Sequence, residues 1–111
     1  MELEDWEYAR SSRGEPYVVK EAGKLSISAD AAAKMENAMQ RVSSGTSNAG
    51  ESSLIRNGVY ELRFQQDKRW YRVLWGRKDG QYVALVLLAK KQNKIDPRAV
   101  ALAEKRLREH S

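Results

Sequence analysis

Three segments in the second half of the chain have the hydrophobic pattern of strands. Residues 59–64 and 70–75 place every second side chain on the same side, which is typical of a strand with one face in a core. Residues 82–89 are apolar throughout, as in a strand covered on both sides. The polar segments 66–68 and 78–80 are turn signals between them. Strands joined by turns this short pair antiparallel, so the sequence predicts a three-stranded meander.

The first half of the chain has a mainly helical pattern. Residues 6–10 alternate large apolar and polar side chains and predict a short first strand. Pro16 then opens a short helix, because a proline at the first helical position loses no hydrogen bond, and Gly23 ends it. Ser26 or Ser28 is positioned to cap a second helix. Its apolar residues, at helical spacing, are Ala31, Met35, Ala38, Met39 and Val42.

A polar loop and a last helix complete the pattern. Residues 43–53 are rich in serine, glycine and asparagine and predict a solvated connector before the meander. After the meander, Asp96 followed by Pro97 marks a helix start, and this helix runs to about Arg108. The predicted order is therefore β-α-α-β-β-β-α.

This order indicates a compact α+β fold, in which helices pack on one face of an antiparallel meander and leave the other face partly open. Residues 1–111 are predicted to form a single domain, since a chain of this length buries roughly two-thirds of its unfolded surface.

Charge is distributed unevenly along the chain. The net charge is +5, from 20 Lys and Arg against 15 Asp and Glu residues. Residues 1–55 contain 6 basic and 9 acidic side chains and carry −3, whereas residues 56–111 contain 14 and 6 and carry +8. The basic half is typical of a surface that binds a polyanion or an acidic protein, and ordinary solubility charge is the alternative interpretation.

The amino-acid composition excludes or disfavours several kinds of functional site. The absence of cysteine excludes a disulfide framework, a thiolate zinc site and a cysteine nucleophile. His110 is the one histidine, which disfavours a histidine metal cluster or a Ser-His-Asp triad. We therefore expect no metal and no cofactor.

A membrane location is also disfavoured. The longest apolar run, residues 83–89, has seven residues, whereas a membrane span needs about 20. Residues 1–5 are acidic and do not resemble a secretory leader, so we expect a cytoplasmic protein without a membrane partner.

Basic side chains gather on the predicted meander, on the face that points away from the helices. Arg63 and Arg72 lie on neighbouring strands, and Lys90 and Lys91 follow the third strand, with Trp70 interleaved. Further members nearby in sequence are Arg56, Lys68 and Lys94. Like charges on one face repel each other, so the cluster indicates an anionic ligand, and cations mixed with an aromatic ring favour nucleic acid. Each residue alone also fits a structural role.

Several segments, read in order, resemble the RelE/ParE toxin superfamily and in particular its phage-derived HigB-like branch. The resemblance is good over residues 57–107 and looser over residues 6–45. The segments that carry it are residues 57–63 (NGVYELR), 70–75 (WYRVLW), 84–91 (ALVLLAKK), Asp96-Pro97, and the helix that contains Ala103. The resemblance implies a RelE-like fold.

The resemblance also implies a function, that of the toxin of a type II toxin–antitoxin pair. RelE and HigB proteins cut mRNA in the ribosomal A site without a metal, by attack of a ribose 2′-hydroxyl on the adjacent phosphate. By position, Arg63, Arg72, Lys90 and Lys91 match the basic catalytic residues, which would clamp the phosphate and stabilise the transition-state charge. Arg56, Lys68, Trp70 and Lys94 are candidates for RNA binding. The general acid and base are not identified, since Val100 lies near the position of a tyrosine in many active members.

Two alternatives remain open. One is a ParE-like inhibitor of DNA gyrase, in which the basic residues contact a protein. The other is a catalytically inactive phage-borne relative that only binds RNA or protein.

The expected partners are mRNA on the ribosome and a cognate, acidic antitoxin. Trp70 and Leu74, predicted to be exposed beside the basic residues, would serve as interface residues for the antitoxin. The expected state is a monomer or a toxin–antitoxin hetero-oligomer.

Overall fold

The computed structural model describes residues 5–89 and 94–110. Within them the helices are α1 (Tyr17–Leu25), α2 (Ala29–Ser44) and α3 (Pro97–Glu109). The strands are β1 (Trp6–Tyr8), β2 (Ser52–Arg56), β3 (Val59–Gln66), β4 (Arg69–Lys78) and β5 (Gln81–Ala89). They form one mixed sheet in the order β1-β5-β4-β3-β2, where β2 to β5 are an antiparallel meander and β1 pairs parallel with β5. The predicted α+β class is confirmed, and the architecture is consistent with a RelE-like fold.

Three two-residue turns connect the meander. Both residues have positive φ in each turn: 49° and 79° at residues 57–58, 56° and 64° at 67–68, and 53° and 80° at 79–80. This backbone matches the right-handed twist of the strands that it joins. The turns predicted at 66–68 and 78–80 are confirmed.

The predicted element order lacks one strand. Residues 43–53 were expected as a loop, but α2 extends to Ser44 and β2 begins at Ser52. Asn57-Gly58, a strong hairpin signal, turns β2 into β3 and explains the extra strand. The observed order is therefore β-α-α-β-β-β-β-α.

The expectation that the helices pack on one face of the sheet is wrong for α3. Residues that alternate along β4 belong to two different apolar clusters, with Val73 in one and Leu74 in the other. The first cluster includes Met35 and Met39 of α2, whereas the second includes Ala103 of α3. The two clusters lie on opposite faces because side chains alternate across a strand. The continuously apolar pattern of β5 is explained by this two-sided cover.

The helix ends are set largely by local signals. Ser28 accepts a hydrogen bond from Ala31 N at 3.0 Å and caps α2, and Asp96 caps α3 by accepting from Arg98 N at 2.9 Å. Gly23 does not end α1, which continues to Leu25 and terminates at Ser26 with φ of 52°. No helix in the two described ranges is long and apolar enough to cross a membrane.

An ion pair closes part of the outer edge of β5. Beyond the short strand β1, Leu87 N donates to Glu21 Oε1 at 2.9 Å, and Leu85 O accepts from Arg106 Nη1 at 2.8 Å. Glu21 and Arg106 contact each other at 2.9 Å, and Arg106 lies 3.7 Å from the centre of the Tyr17 ring. Side chains of α1 and α3 therefore satisfy strand groups that have no neighbouring strand there.

The end of α3 packs closely on β4. A Cβ atom placed on Gly76 would lie 2.8 Å from Leu107 Cδ2 and 3.0 Å from Gly58 O. Lys78 Nζ donates to the carbonyl oxygens of Leu107 and Arg108 at 3.0 Å each, and so satisfies free carbonyl groups at the helix end. Position 76 therefore requires glycine, because a larger side chain would clash with Leu107 and with the carbonyl group of Gly58.

We predict that Gly76→Ala destabilises the protein by about 1–3 kcal/mol, because the added methyl group overpacks the contact with α3. The measurement is the free energy of unfolding in urea. Gly23→Ala is the matched control, since Gly23 lies inside α1 with no atom within 4 Å of an added Cβ. The control is expected to gain about 0.5–1 kcal/mol. A Gly76→Ala protein as stable as wild type would contradict the close packing.

Candidate functional site

The centre of the candidate site is a carboxylate between two arginines. Arg63 on β3 and Arg72 on β4 are direct cross-strand partners and project from the α3 side of the sheet. Glu61 lies two residues before Arg63 and therefore on the same face. Its Oε2 is 2.9 Å from Arg72 Nε, and its Oε1 is 3.5 Å from Arg63 Nε. The acid compensates the repulsion between two like charges placed opposite each other.

The two arginines differ in access to solvent. Arg72 is 2% exposed and Glu61 is 8% exposed, so this pair lies below the surface. The Arg63 side chain is 33% exposed. Its Nη2 donates to Gly50 O at 2.5 Å, which leaves other guanidinium N–H groups able to reach a ligand. Arg63 is therefore the arginine accessible from solvent, whereas Arg72 contacts Glu61 below the surface.

Trp70 and Lys68 lie at the same end of the sheet as the arginines. Trp70 precedes Arg72 by two residues, pairs with Gln65 and is 43% exposed. Lys68 is exposed in the β3–β4 turn. Leu74, expected as an exposed interface residue, is fully buried under α3, because α3 covers the face that was expected to be open.

Of the other residues of the predicted basic cluster, Arg56 lies apart. Arg56, at the opposite end of the meander, contacts Glu104 of α3 at 3.0 Å. Lys94 is exposed before α3. Lys90 and Lys91 lie outside the described residues, just after β5 ends at Ala89 opposite Tyr71. The structure thus places Arg63, Arg72, Trp70 and Lys68 toward one end of the meander and Arg56 at the other.

A cavity of about 690 Å³ adjoins Arg63, and sequence reasoning missed it. One wall is a polar stripe of α2, formed by Lys34, Asn37 and Arg41. Their spacing of three and four residues puts them on one helix face, and this was the signal available in the sequence. Gln65 and Trp70, a cross-strand pair on β3 and β4, also line the cavity. We call this space the α2–β3 cleft.

The loop before β2 closes one end of the α2–β3 cleft. Glu51 accepts from Arg41 Nε at 3.0 Å and from Asn48 N at 2.9 Å, and Arg63 N donates to Glu51 O at 2.9 Å. The hydrogen bonds from Arg41 lower the pKa of Glu51 below its ordinary value, although burial opposes the shift. The same contact raises the pKa of Arg41. The Arg41–Glu51 pair therefore fixes the loop against β3.

The arrangement suits phosphate chemistry. In residues 5–89 and 94–110, no three histidine, aspartate or glutamate side chains converge as metal ligands. Arg63 supplies charge-assisted donors for a phosphate oxygen, and Glu61 supplies a carboxylate oxygen able to accept a proton. Glu61 was not among the predicted site residues, because its role depends on the cross-strand contact with Arg72.

Stability should depend on the ionisation of Glu51. Because its folded pKa is lowered, the stabilisation is complete above the ordinary glutamate value of about 4.3 and is lost as the pH falls through the folded value. We predict that wild type is more stable than Glu51→Gln at pH 7 and that the difference shrinks below pH of about 4. The measurement is urea unfolding from pH 7 to pH 3.

Glu109→Gln, which removes the same charge from an exposed side chain of α3, is the control for general charge effects. A difference between wild type and Glu51→Gln that stays constant or grows on acidification would be evidence against a stabilising Arg41–Glu51 pair.

The family of the chain follows from comparison with known proteins. The family model described as "Phage derived protein Gp49-like (DUF891)" matches residues 25–108, which include α2, the whole β2–β5 meander and nearly all of α3. No curated protein matches the chain. The match covers well over half of the sequence and includes Glu61, Arg63 and Arg72, which we call the Glu61 site. The chain therefore belongs to the phage-derived Gp49-like family, a member of the RelE-like toxin superfamily.

Proposed function

We propose that this protein is the toxin of a type II toxin–antitoxin pair, in the HigB-like branch, and that it cuts mRNA on the ribosome in the cytoplasm. The observation that carries the proposal is the Glu61 carboxylate held between partly exposed Arg63 and buried Arg72, in a chain of the RelE-like superfamily. Cleavage of RNA by a neighbouring hydroxyl requires at least a proton acceptor and a cation that binds the phosphate.

The proposed reaction is a transesterification. A phosphate oxygen binds the Arg63 guanidinium, and the 2′-hydroxyl of the preceding ribose transfers its proton to a Glu61 carboxylate oxygen. The 2′-oxygen forms a bond to phosphorus, and the bond from phosphorus to the 5′-oxygen breaks. The departing oxygen takes up a proton from water, which leaves a 2′,3′-cyclic phosphate and a 5′-hydroxyl end. Arg63 stabilises the charge that builds on the phosphate.

Substrate binding would change the contacts of Glu61. In the free protein Glu61 contacts both arginines, and this neutralises much of its charge. A phosphate at Arg63 competes for that guanidinium, so the carboxylate keeps only the contact with Arg72 and one of its oxygens is released toward the substrate. Arg72 is thus a positioning residue, because it is 2% exposed and acts through Glu61.

The remaining predicted residues have supporting roles in this proposal. Lys90 and Lys91 complete the phosphate clamp, and Trp70 and Lys68 lie beside Arg63 on the path of the RNA strand. Arg56 and Lys94 add positive charge at a distance that assists the approach of RNA more than its chemistry.

Cleavage can be tested in a purified translation reaction with the mRNA ends mapped by primer extension. We predict that Arg63→Ala lowers the cleavage rate about 10²–10³-fold, since it removes one donor to the developing charge. Glu61→Gln should lower it about 10²–10⁴-fold through loss of the proton acceptor, and Lys91→Ala should also slow it. Arg98→Ala is the control, because this substitution removes the same charge from a side chain that is 91% exposed on α3.

The alternatives give different results. Intact mRNA together with gyrase inhibition would replace the proposal with a ParE-like activity. Intact mRNA and normal translation would indicate an inactive relative that only binds. Equal loss of cleavage in Arg63→Ala and Arg98→Ala would mean that net charge, not the Glu61 site, governs the activity.

We also propose that an acidic antitoxin covers Arg63 and Trp70, with the toxin otherwise monomeric. Aromatic and arginine side chains are favoured at interfaces, and the positive charge of this half of the chain complements an acidic segment. In a purified toxin–antitoxin complex, Arg63 should be protected from modification by phenylglyoxal, as mapped by mass spectrometry, whereas Arg98 stays reactive. A tight complex with fully reactive Arg63 contradicts a steric mode of inhibition.

A further inference from the structure

The α2–β3 cleft has room for a nucleotide. Its volume is about 690 Å³, within the range of roughly 300–1,000 Å³ common for small-molecule sites. It opens where β3 extends past its pairing with β2, which ends at Leu62 and Ser52. Arg63, the proposed phosphate-binding residue, lies at its margin. A ligand in the cleft is therefore directly adjacent to the proposed reaction centre.

The walls combine three kinds of chemistry. Trp70 offers an aromatic surface that is 43% exposed. Asn37 and Gln65, both exposed, carry amides that donate and accept hydrogen bonds. Lys34 is an exposed cation whose Nζ donates to Gln65 O at 3.1 Å.

The charges of the cleft favour an anionic ligand. Lys34, Arg41 and Arg63 are offset by Glu51, the one acid among the lining residues, which leaves a charge of +2. Arg41 is held by Glu51, so Lys34 and Arg63 are the two cations presented to a ligand. Lys34 lies on α2 and Arg63 on β3, and both line the cleft where β3 extends past β2, so a phosphodiester backbone that follows this edge of the sheet would meet both.

We propose that the α2–β3 cleft binds a nucleobase of single-stranded RNA, stacked on Trp70 with its edge facing the amides of Asn37 and Gln65. This inference rests on the proposed function and names a subsite for it: the base next to the phosphate at Arg63. Aromatic rings beside a cationic groove are the usual means of binding unpaired bases, and amide side chains read base edges by paired donors and acceptors. The cleft would then set the sequence preference of cleavage.

An acidic peptide is the competing occupant, and the walls favour RNA over it. A peptide carboxylate would use the cations but would have no need of an exposed aromatic ring and amide side chains in the same cleft. A base uses all three kinds of group at once. Titration with a short RNA and with an acidic peptide therefore distinguishes the two occupants.

The test follows the indole N–H signals by NMR in protein labelled with ¹⁵N-tryptophan. The chain has three tryptophans, of which Trp6 and Trp75 are buried at 5% exposure and serve as internal references. The probe is a 2′-O-methyl RNA trinucleotide, which has no free 2′-hydroxyl and cannot be cut. We predict that the Trp70 signal shifts on titration and that an abasic trinucleotide of equal charge leaves it in place.

Variants measure the size of the effect. Trp70→Ala should weaken trinucleotide binding about 5- to 150-fold, the range expected for loss of one stacked base, whereas Trp70→Phe should retain most of it. Asn37→Ala should change which bases bind best, with little effect on binding of the abasic probe. Equal shifts with the abasic probe, a larger shift with an acidic hexapeptide, or no shift at millimolar RNA would each overturn the proposal.

The result is separable from that of the cleavage assay. mRNA cleavage without a Trp70 shift would leave the proposed function intact and exclude the base subsite. A Trp70 shift specific for the base in a protein that does not cleave mRNA would keep the subsite and reject the endonuclease.

Discussion

The arrangement of the site depends on one interaction, the contact of Glu61 with Arg72 beneath the surface of the sheet. Two arginines directly opposite each other on β3 and β4 would repel, and a buried guanidinium without a partner would cost several kcal/mol, of the order of 3–5. Glu61 removes both problems because the pleat puts it on the same face, two residues before Arg63. The same contact fixes the carboxylate within reach of Arg63, so the stability of this end of the sheet and the proposed chemistry have a common origin.

A second ion pair plays the corresponding part at the other edge of the meander. Glu21 and Arg106 bond the backbone of β5 where β1 is too short to do so, and thereby connect α1, α3 and the sheet. With α3 fixed on the side of Gly76 and Lys78, it does not extend to the opposite end of that face, around Arg63 and Trp70. The position of the site is therefore a consequence of how far α3 extends across the sheet.

The features that were predictable from the sequence are those set by interactions between residues close together in the chain. Period-two segments, the turns at 67–68 and 79–80, and the caps Ser28 and Asp96 each depend on residues within a few positions of each other, and each is confirmed. Long-range packing explains the rest. Strand β2 requires β3 to pair with it, the burial of Leu74 requires α3 to cross the sheet, and the α2–β3 cleft joins residues about 30 positions apart. A basic pattern in the sequence identified Arg63 and Arg72 but gave no indication that only one of them reaches solvent.

Arg63 belongs both to the proposed reaction centre and to the border of the α2–β3 cleft. Its side chain contacts Glu61 on one side and Gly50 O on the other, and its backbone N–H donates to Glu51 O. Because Arg41 holds Glu51, the loop that borders the cleft and the arginine that would bind phosphate form one connected unit. A base that settles in the cleft would press against this unit and thereby orient Arg63 toward its own phosphate. Recognition of the base and stabilisation of the reacting phosphate would then reinforce each other through a single side chain, as expected where binding energy is used to position the reacting groups.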